Sequence, residues 1–279
     1  MVDKYAVIGN PIAHSKSPLI HRAFAAQTGD EISYEAILAP LDGFEATVRE
    51  LIAQGYKGAN VTVPFKMEAF RLVLPSNRAL DAGAVNTLRF LGDEIRGDNT
   101  DGIGLVRDIH QNLGIGIHGK RILLLGAGGA AEGVLHPLLD EAPASLVIAN
   151  RTLDKAQQMV KKVLASAHDH RAFLLSACAF ENMADAQFDI VINATSAGLT
   201  DTALPIPSSI FAKDCLAYDM MYGRETPFMK QAREAGAQVA DGLGMLVEQA
   251  AEAFQIWRDV RPNTSPVITM LSTLIGKPN

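Results

Sequence analysis

The segment RILLLGAGGAAEGVLHPLL, Arg121 to Leu139, constrains the fold of this chain more than any other stretch. Its first residues, one arginine and then an apolar run, read as a buried strand, Gly126, Gly128 and Gly129 as a tight turn, and the remainder as a helix. A strand that enters a glycine turn and leaves as a helix is the first half of a βαβ unit, which commits the region to a parallel sheet with helices packed over it. The strands SLVIAN, DIVINAT and CLAYDMM continue the pattern, giving an α/β unit over residues 104–241.

Within that turn, GAGGAA fits the G-x-G-x-x-(G/A) fingerprint. Glycines there allow the backbone to approach a pyrophosphate, and the free N–H groups of the helix start attract its charge. Gly126, Ala127, Gly128, Gly129 and Ala130 are therefore candidate cofactor contacts; the bland reading of the same glycines is a tight βα turn with no ligand. Where an NAD enzyme offers a carboxylate to the ribose, after the second strand, this chain has Asn150, Arg151 and Thr152, with Lys155 close behind. A guanidinium pairs with a 2′-phosphate that a carboxylate would repel, so NADP is the expected cofactor.

Ahead of this unit the alternation is similar. YAVI at residues 5–8 is a strand broken by Gly9, Asn10 and Pro11; Ser17 is placed as an N-cap before Pro18, with Gly29 to end that helix. SYEAILA is a strand, Gly43 to Gln54 a helix, Asn60 to Val63 a strand, and a helical stretch follows Lys66. NTLRF, LGD and EIRG read as a β-hairpin. After Gly242, apolar residues at 243, 246, 247, 250, 251, 254 and 257 mark one face of a long helix. A chain of 279 residues suits two domains of this kind.

Charge and composition exclude several functions. A net charge of −6 without a basic stripe argues against nucleic acid, and 48% apolar residues argue against disorder. No window is long and apolar enough for a membrane span, and the start MVDKYAVIGN lacks the pattern of a secretory signal. Cys178 and Cys215 are too few and too far apart for a disulfide framework, which fits a cytoplasmic protein. His168 and His170 stand in a polar loop without further ligands and are read as solvated, so no metal site is expected.

Further segments join these: SKS at Ser15 to Ser17, NVTVPFK at Asn60 to Lys66, AVNTL at Ala84 to Leu88, DNTDG at Asp98 to Gly102, and DGLGMLVEQA at Asp241 to Ala250. In this order, together with GAGGAA and NRT, the set closely resembles the shikimate dehydrogenases over nearly the whole chain. The resemblance implies an α/β protein of two domains. Residues 1–103 with 242–279 would form a substrate domain around a mainly parallel sheet, and 104–241 a Rossmann-type NADP domain, the last helices returning to the first. The implied reaction is reversible hydride transfer between 3-dehydroshikimate and NADPH by a monomer or homodimer.

By that resemblance Lys66 is the catalytic lysine and Asp101 its partner. The chemistry agrees: reducing a ketone leaves an alkoxide that needs a proton donor within hydrogen-bond reach. The sequence leaves open which of the two is the formal base, and by themselves Lys66 reads as a surface lysine and Asp101 as a turn or cap residue. The resemblance also assigns Ser15, Ser17 and Tyr222 to the substrate carboxylate, Thr62 and Asn86 to the substrate ring, and Gln249 to substrate binding. Thr195, Met220 and Gly242 fall to the nicotinamide side. The loop GRETPF after Tyr222 is shorter than in the family, and Asn77 replaces a frequent acidic residue. A quinate/shikimate dehydrogenase using NAD, opposed by Arg151 and Ser15, and a catalytically silent NADP sensor, opposed by the Lys66 and Asp101 pair, are the alternative readings.

Overall fold

The computed structural model describes residues 2–165, 172–183, 186–197 and 202–276; His168 and His170 lie outside them. Two compact units result, one formed by residues up to Leu105 together with those from Leu246, the other by Val106–Met245.

In the first unit the strands are β1 (Asp3–Gly9), β2 (Ile32–Leu38), β3 (Tyr56–Val61), β4 (Leu74–Pro75), β5 (Thr87–Leu91) and β6 (Glu94–Asp98). They form one sheet in the order β2-β1-β3-β5-β6-β4. β1 pairs in parallel with β2 and β3, and β4 with β6, while the hairpin β5–β6 lies antiparallel and joins β3 through β5. The hairpin turns at Gly92, whose φ of 65° suits a residue without a Cβ. Helices α1 (Ser17–Thr28), α2 (Phe44–Ala53), α3 (Lys66–Arg71), α4 (Asn77–Ala82) and α5 (Asp101–Arg107) connect or follow these strands. Apolar residues of β1 and β3, including Ala6, Ile8, Ala59 and Val61, meet Phe44, Val48 and Phe65 in the core.

Two expectations change here. β3 begins at Tyr56 and ends at Val61, so Asn60 to Val63 is not the strand and Thr62 lies just beyond it. The early start is paid for by β1: Gly58 and Ala59 pair with Tyr5 and Ala6, a tertiary contact that local residue preference does not report. Ser17 is the first helical residue of α1, not its cap; Lys16 stands at the cap and the Ser15 hydroxyl accepts the Ser17 N–H at 3.3 Å. Gly29 ends the helix in the left-handed region, as its position predicts.

The second unit carries β7 (Arg121–Leu125), α6 (Gly129–Asp140), β8 (Ser145–Ala149), α7 (Leu153–Ala165), β9 (Leu175–Cys178), β10 (Phe188–Asn193), β11 (Phe211–Asp219), α8 (Pro227–Glu234) and β12 (Gln238–Asp241). Its strands are all parallel, in the order β12-β11-β10-β7-β8-β9. Order reverses between β7 and β10, and the carboxyl ends of those strands are where an open α/β sheet leaves room for a ligand. β9 and β12 were not apparent in the sequence. Both are short edge strands, and edges carry little apolar signal.

The remaining helices are α9 (Leu243–Arg258) and α10 (Ser265–Ile275). The stripe on α9 is buried at Leu243, Val247, Ala250, Ala251, Phe254 and Trp257, and so are Glu248 and Glu252 on its other side. Both carboxylates pair with Arg261, and Glu252 also with Arg78, which grips Asp98 at the end of β6. Such pairing is what makes buried charge tolerable.

His21 on α1 is fully buried, stacked on Tyr34 with ring centroids 4.2 Å apart. Neither ring nitrogen reaches hydrogen-bond geometry with a partner. Burial lowers its pKa to about 3, and the nearby Asn60 side chain opposes this only in part. An unfolded chain takes up this proton below about pH 6.5, whereas the fold refuses it until about 3, so stability falls as pH drops through that window. The slope is about 1.4 kcal/mol per pH unit at most. His21→Phe should keep the stack and flatten the loss; denaturant midpoints between pH 7 and 4 that fall equally in both proteins would assign the proton elsewhere.

Candidate active site

Lys66 is the first residue of α3, placed there by the turn Thr62–Phe65, whose ends are tied by the Phe65 N–H donating to the Thr62 carbonyl at 3.0 Å. Asp101 is the first residue of α5 and is fixed by the Asn99 side chain, which accepts its N–H at 3.1 Å. The two side chains meet with Lys66 Nζ donating to Asp101 Oδ2 at 2.5 Å. At 30% and 18% exposure the pair is half-buried, reachable by a ligand yet shielded enough for its charges to matter.

Asp101 uses its other oxygen as well. Oδ1 accepts from Asn86 Nδ2 at 2.8 Å, and the same nitrogen approaches Thr100 Oγ1 at 3.0 Å and Gln249 Oε1 at 3.3 Å. Asn86 Oδ1 takes the Thr100 N–H at 2.9 Å and the Thr87 hydroxyl at 2.9 Å. These bonds settle the orientation of the amide, since a flipped Asn86 would face carboxylate with carbonyl. Gln249 is held in turn by donating to the Leu246 carbonyl at 2.8 Å. Lys66, Asp101, Asn86 and Gln249 thus form one hydrogen-bonded cluster drawn from four segments of the first unit.

Thr100, Thr87 and Asn60 belong to the same network and were not singled out from the sequence. Asn60 Nδ2 donates to the Asn86 carbonyl and to Thr87 Oγ1, both at 3.1 Å, and its oxygen accepts the Tyr34 hydroxyl at 2.7 Å. Each lies inside a motif already quoted, Asn60 in NVTVPFK, Thr87 in AVNTL and Thr100 in DNTDG, but small polar residues next to strands are ordinarily satisfied core groups, so their part in the network was not legible. Ser15 and Ser17 flank the start of α1, and Thr62 donates its N–H to the Ile8 carbonyl at 2.9 Å, which keeps it against β1.

In the second unit the glycine turn fits a pyrophosphate. Gly126 has a φ of 107° and a Cβ there would lie 3.1 Å from the Ala194 carbonyl oxygen, so conformation and space both require glycine. Gly128 and Gly129 have open space where a side chain would stand, and with Ala130 they are exposed at the start of α6. Ala127 is half-buried beside them, and Ala131 packs inward. Asn150 donates to the Thr152 carbonyl at 2.8 Å, closing the turn after β8. Arg151, Thr152 and Lys155 are exposed there, and neither cation has an ion-pair partner among the described residues. Two free cations on an exposed turn beside an open glycine cradle fit a phosphorylated ribose.

Thr195 follows β10, and Met220 and Tyr222 follow β11. Burial raises the Tyr222 phenol above its ordinary pKa, so it keeps its proton and can donate. A methyl at Gly242 would overlap the Met220 backbone, and the Gly242 N–H donates to the Met221 carbonyl at 2.9 Å. The glycine is there to bring two backbones together. Among the described residues no group of acidic, cysteine and histidine side chains is arranged to hold a metal ion, and no helix is long and apolar enough to cross a membrane.

Residues 7–88 match the shikimate dehydrogenase substrate binding domain, 107–200 the shikimate / quinate 5-dehydrogenase family, and 242–269 the shikimate 5'-dehydrogenase C-terminal domain. This chain belongs to the shikimate dehydrogenase family. A Methylobacillus flagellatus protein named shikimate dehydrogenase (NADP(+)) is 62% identical over 272 residues, 97% of this chain and 99% of that one. Among solved structures, an Ael1 enzyme from Pseudomonas putida is 48% identical with a TM-score of 0.90, covering 96% of this chain and 98% of its own. The Thermus thermophilus shikimate 5-dehydrogenase, solved with NADP(H) and shikimate, is 31% identical with a TM-score of 0.83, covering 96% and 98%. The two-unit α/β architecture is thus the architecture of the shikimate dehydrogenase family.

Proposed function

We propose that this chain is an NADP-dependent shikimate dehydrogenase that reversibly reduces 3-dehydroshikimate to shikimate. The observation that carries the reading is the Lys66 ammonium 2.5 Å from Asp101 inside a fixed polar cluster, in a chain 62% identical to a protein named for that activity. Bound NADPH supplies the hydride. The chain supplies the proton: as the carbonyl carbon is reduced, Lys66 donates to the developing alkoxide, and in the reverse direction it takes that proton back. Asp101 holds the ammonium in place and is itself held by Asn86. Thr62, Asn86 and Gln249 offer hydrogen bonds to ring hydroxyls, while Ser15, Ser17 and the protonated Tyr222 suit the carboxylate.

In the cofactor unit, Gly126 to Ala130 would cradle the pyrophosphate. Asn150, Arg151, Thr152 and Lys155 would hold the 2′-phosphate, and Thr195, Met220 and Gly242 would border the nicotinamide. A cytoplasmic place is part of the reading, supported by two cysteines that remain free thiols.

The deciding experiment follows NADPH absorbance with shikimate and NADP, then with NAD and with quinate. Rapid reduction of NADP by shikimate is expected. Preference for NAD would identify the quinate/shikimate variant, and NADP binding without turnover a silent sensor. Arg151→Ala should lower kcat/KM for NADP by about 10- to 100-fold, the worth of a charge-assisted pair, and leave NAD unchanged. Equal losses with both cofactors would show that Arg151 does not read the phosphate.

A further inference from the structure

Asp219 is the last residue of β11 and its side chain has no solvent exposure. No lysine, arginine or histidine pairs with it among the described residues. A buried carboxylate without a counterion is costly and needs hydrogen-bond donors instead. Here it has three. Oδ1 accepts the Met221 N–H at 3.0 Å, and Oδ2 accepts from Asn193 Nδ2 at 3.1 Å and from the Thr226 hydroxyl at 2.5 Å.

The partners sit on different loops. Met221 belongs to the turn that carries Met220, and Thr226 caps α8, taking the Met229 N–H at 3.3 Å. Asn193, at the end of β10, is paired across the sheet with Asp219. Because the carboxylate draws the Asn193 NH₂ group toward itself, the amide oxygen must point the other way. There it accepts both the Thr195 N–H at 3.1 Å and the Thr195 hydroxyl at 2.7 Å. One carboxylate therefore sets the loop after β10 and the loop after β11 together, beside the point where the strand order reverses.

We propose that Asp219 is a positioning residue, which through Asn193 and the Met221 N–H fixes Thr195 and Met220 at the nicotinamide end of the cofactor. This rests on the dehydrogenase reading for the roles of Thr195 and Met220. An amide cannot replace the carboxylate, since all three partners donate and one would then face an NH₂ group. In Asp219→Asn the NH₂ group faces either the Met221 N–H, which releases the turn that carries Met220, or the Asn193 amide, which releases Thr195.

The test separates the two ends of the cofactor. Adenosine 2′,5′-bisphosphate reports the turn at Arg151 and shows that the unit is folded, whereas NADPH adds the nicotinamide. Asp219→Asn should lower kcat about 10- to 100-fold, the cost of misplacing a reacting group by an ångström, with bisphosphate affinity unchanged. Thr226→Val, which removes one donor, should lower kcat in the same direction, and Thr226→Ser, which restores the hydroxyl, should recover it. Wild-type kcat in a folded Asp219→Asn, or equal losses of kcat and bisphosphate affinity, would overturn the assignment. Should the unsubstituted chain oxidise no shikimate, the dehydrogenase reading fails, and binding alone decides the positioning role. A loss of NADPH affinity without loss of bisphosphate affinity then supports it, and parallel changes overturn it.

Discussion

Lys66→Ala is expected to lower kcat for shikimate oxidation by about 10² to 10⁴, with a much smaller change in KM. The reason is geometric. Asp101 Oδ1 stays bonded to Asn86, and Asn86 stays bonded to Thr100 and Thr87, so removing the lysine takes the proposed proton carrier out of a cluster that otherwise stands. Binding groups are left where they were. Lys66→Arg should not rescue the rate, because a guanidinium keeps its proton and cannot accept one from substrate. Steady-state kinetics with shikimate and NADP check both variants. A kcat at the wild-type level in Lys66→Ala would return that residue to the surface role that its position after a strand ordinarily implies.

How far could the sequence foresee this arrangement? The second unit was the more legible part. RILLL followed by a glycine turn states strand, turn and helix through local chemistry, and the structure has β7, the turn and α6 in those places. The hairpin β5–β6 and the stripe on α9 were likewise written in period and turn residues. What failed were features decided by hydrogen bonds that residue preference does not report. β3 starts at Tyr56 because β1 is there to pair with, and Ser17 is inside its helix because Ser15 takes up its N–H.

The candidate site was legible only as a set of separate motifs. Lys66, Asn86, Asp101 and Gln249 are up to 183 positions apart in the chain (249 minus 66), and no local periodicity predicts that their polar atoms converge. The family resemblance picked out those four; the residues that orient them, Thr87, Thr100 and Asn60, came only from the structure. Asp219 illustrates the same limit more sharply. In CLAYDMM it reads as a polar residue ending a strand, and nothing nearby reveals that donors from three segments converge on it.

Gly244 is a second case of hidden constraint, and Gly244→Ala is expected to cost about 3 to 5 kcal/mol of stability. In an α-helix this substitution is normally favourable by up to about 1 kcal/mol. Here the added methyl would overlap the carboxylate of Asp108, a buried side chain at the start of the short π-helical segment Asp108–Asn112 that continues α5. Asp108 cannot swing aside cheaply, because Tyr218 donates its hydroxyl to Oδ2 at 2.6 Å and Asn112 donates to Oδ1 at 2.9 Å. Burial, and then the charge of Asp108, raises the Tyr218 phenol well above its ordinary pKa, so that donor is present at any working pH. Displacing the carboxylate would strand a buried hydroxyl and a buried charge together. A double-mutant cycle identifies the cause: in an Asp108→Ala background the same glycine substitution should lose its penalty, since the overlap is gone and only the helix preference remains. Denaturant unfolding of the four proteins gives the coupling. A coupling near zero would place the cost of Gly244→Ala in the helix itself, and leave Asp108 as a bystander.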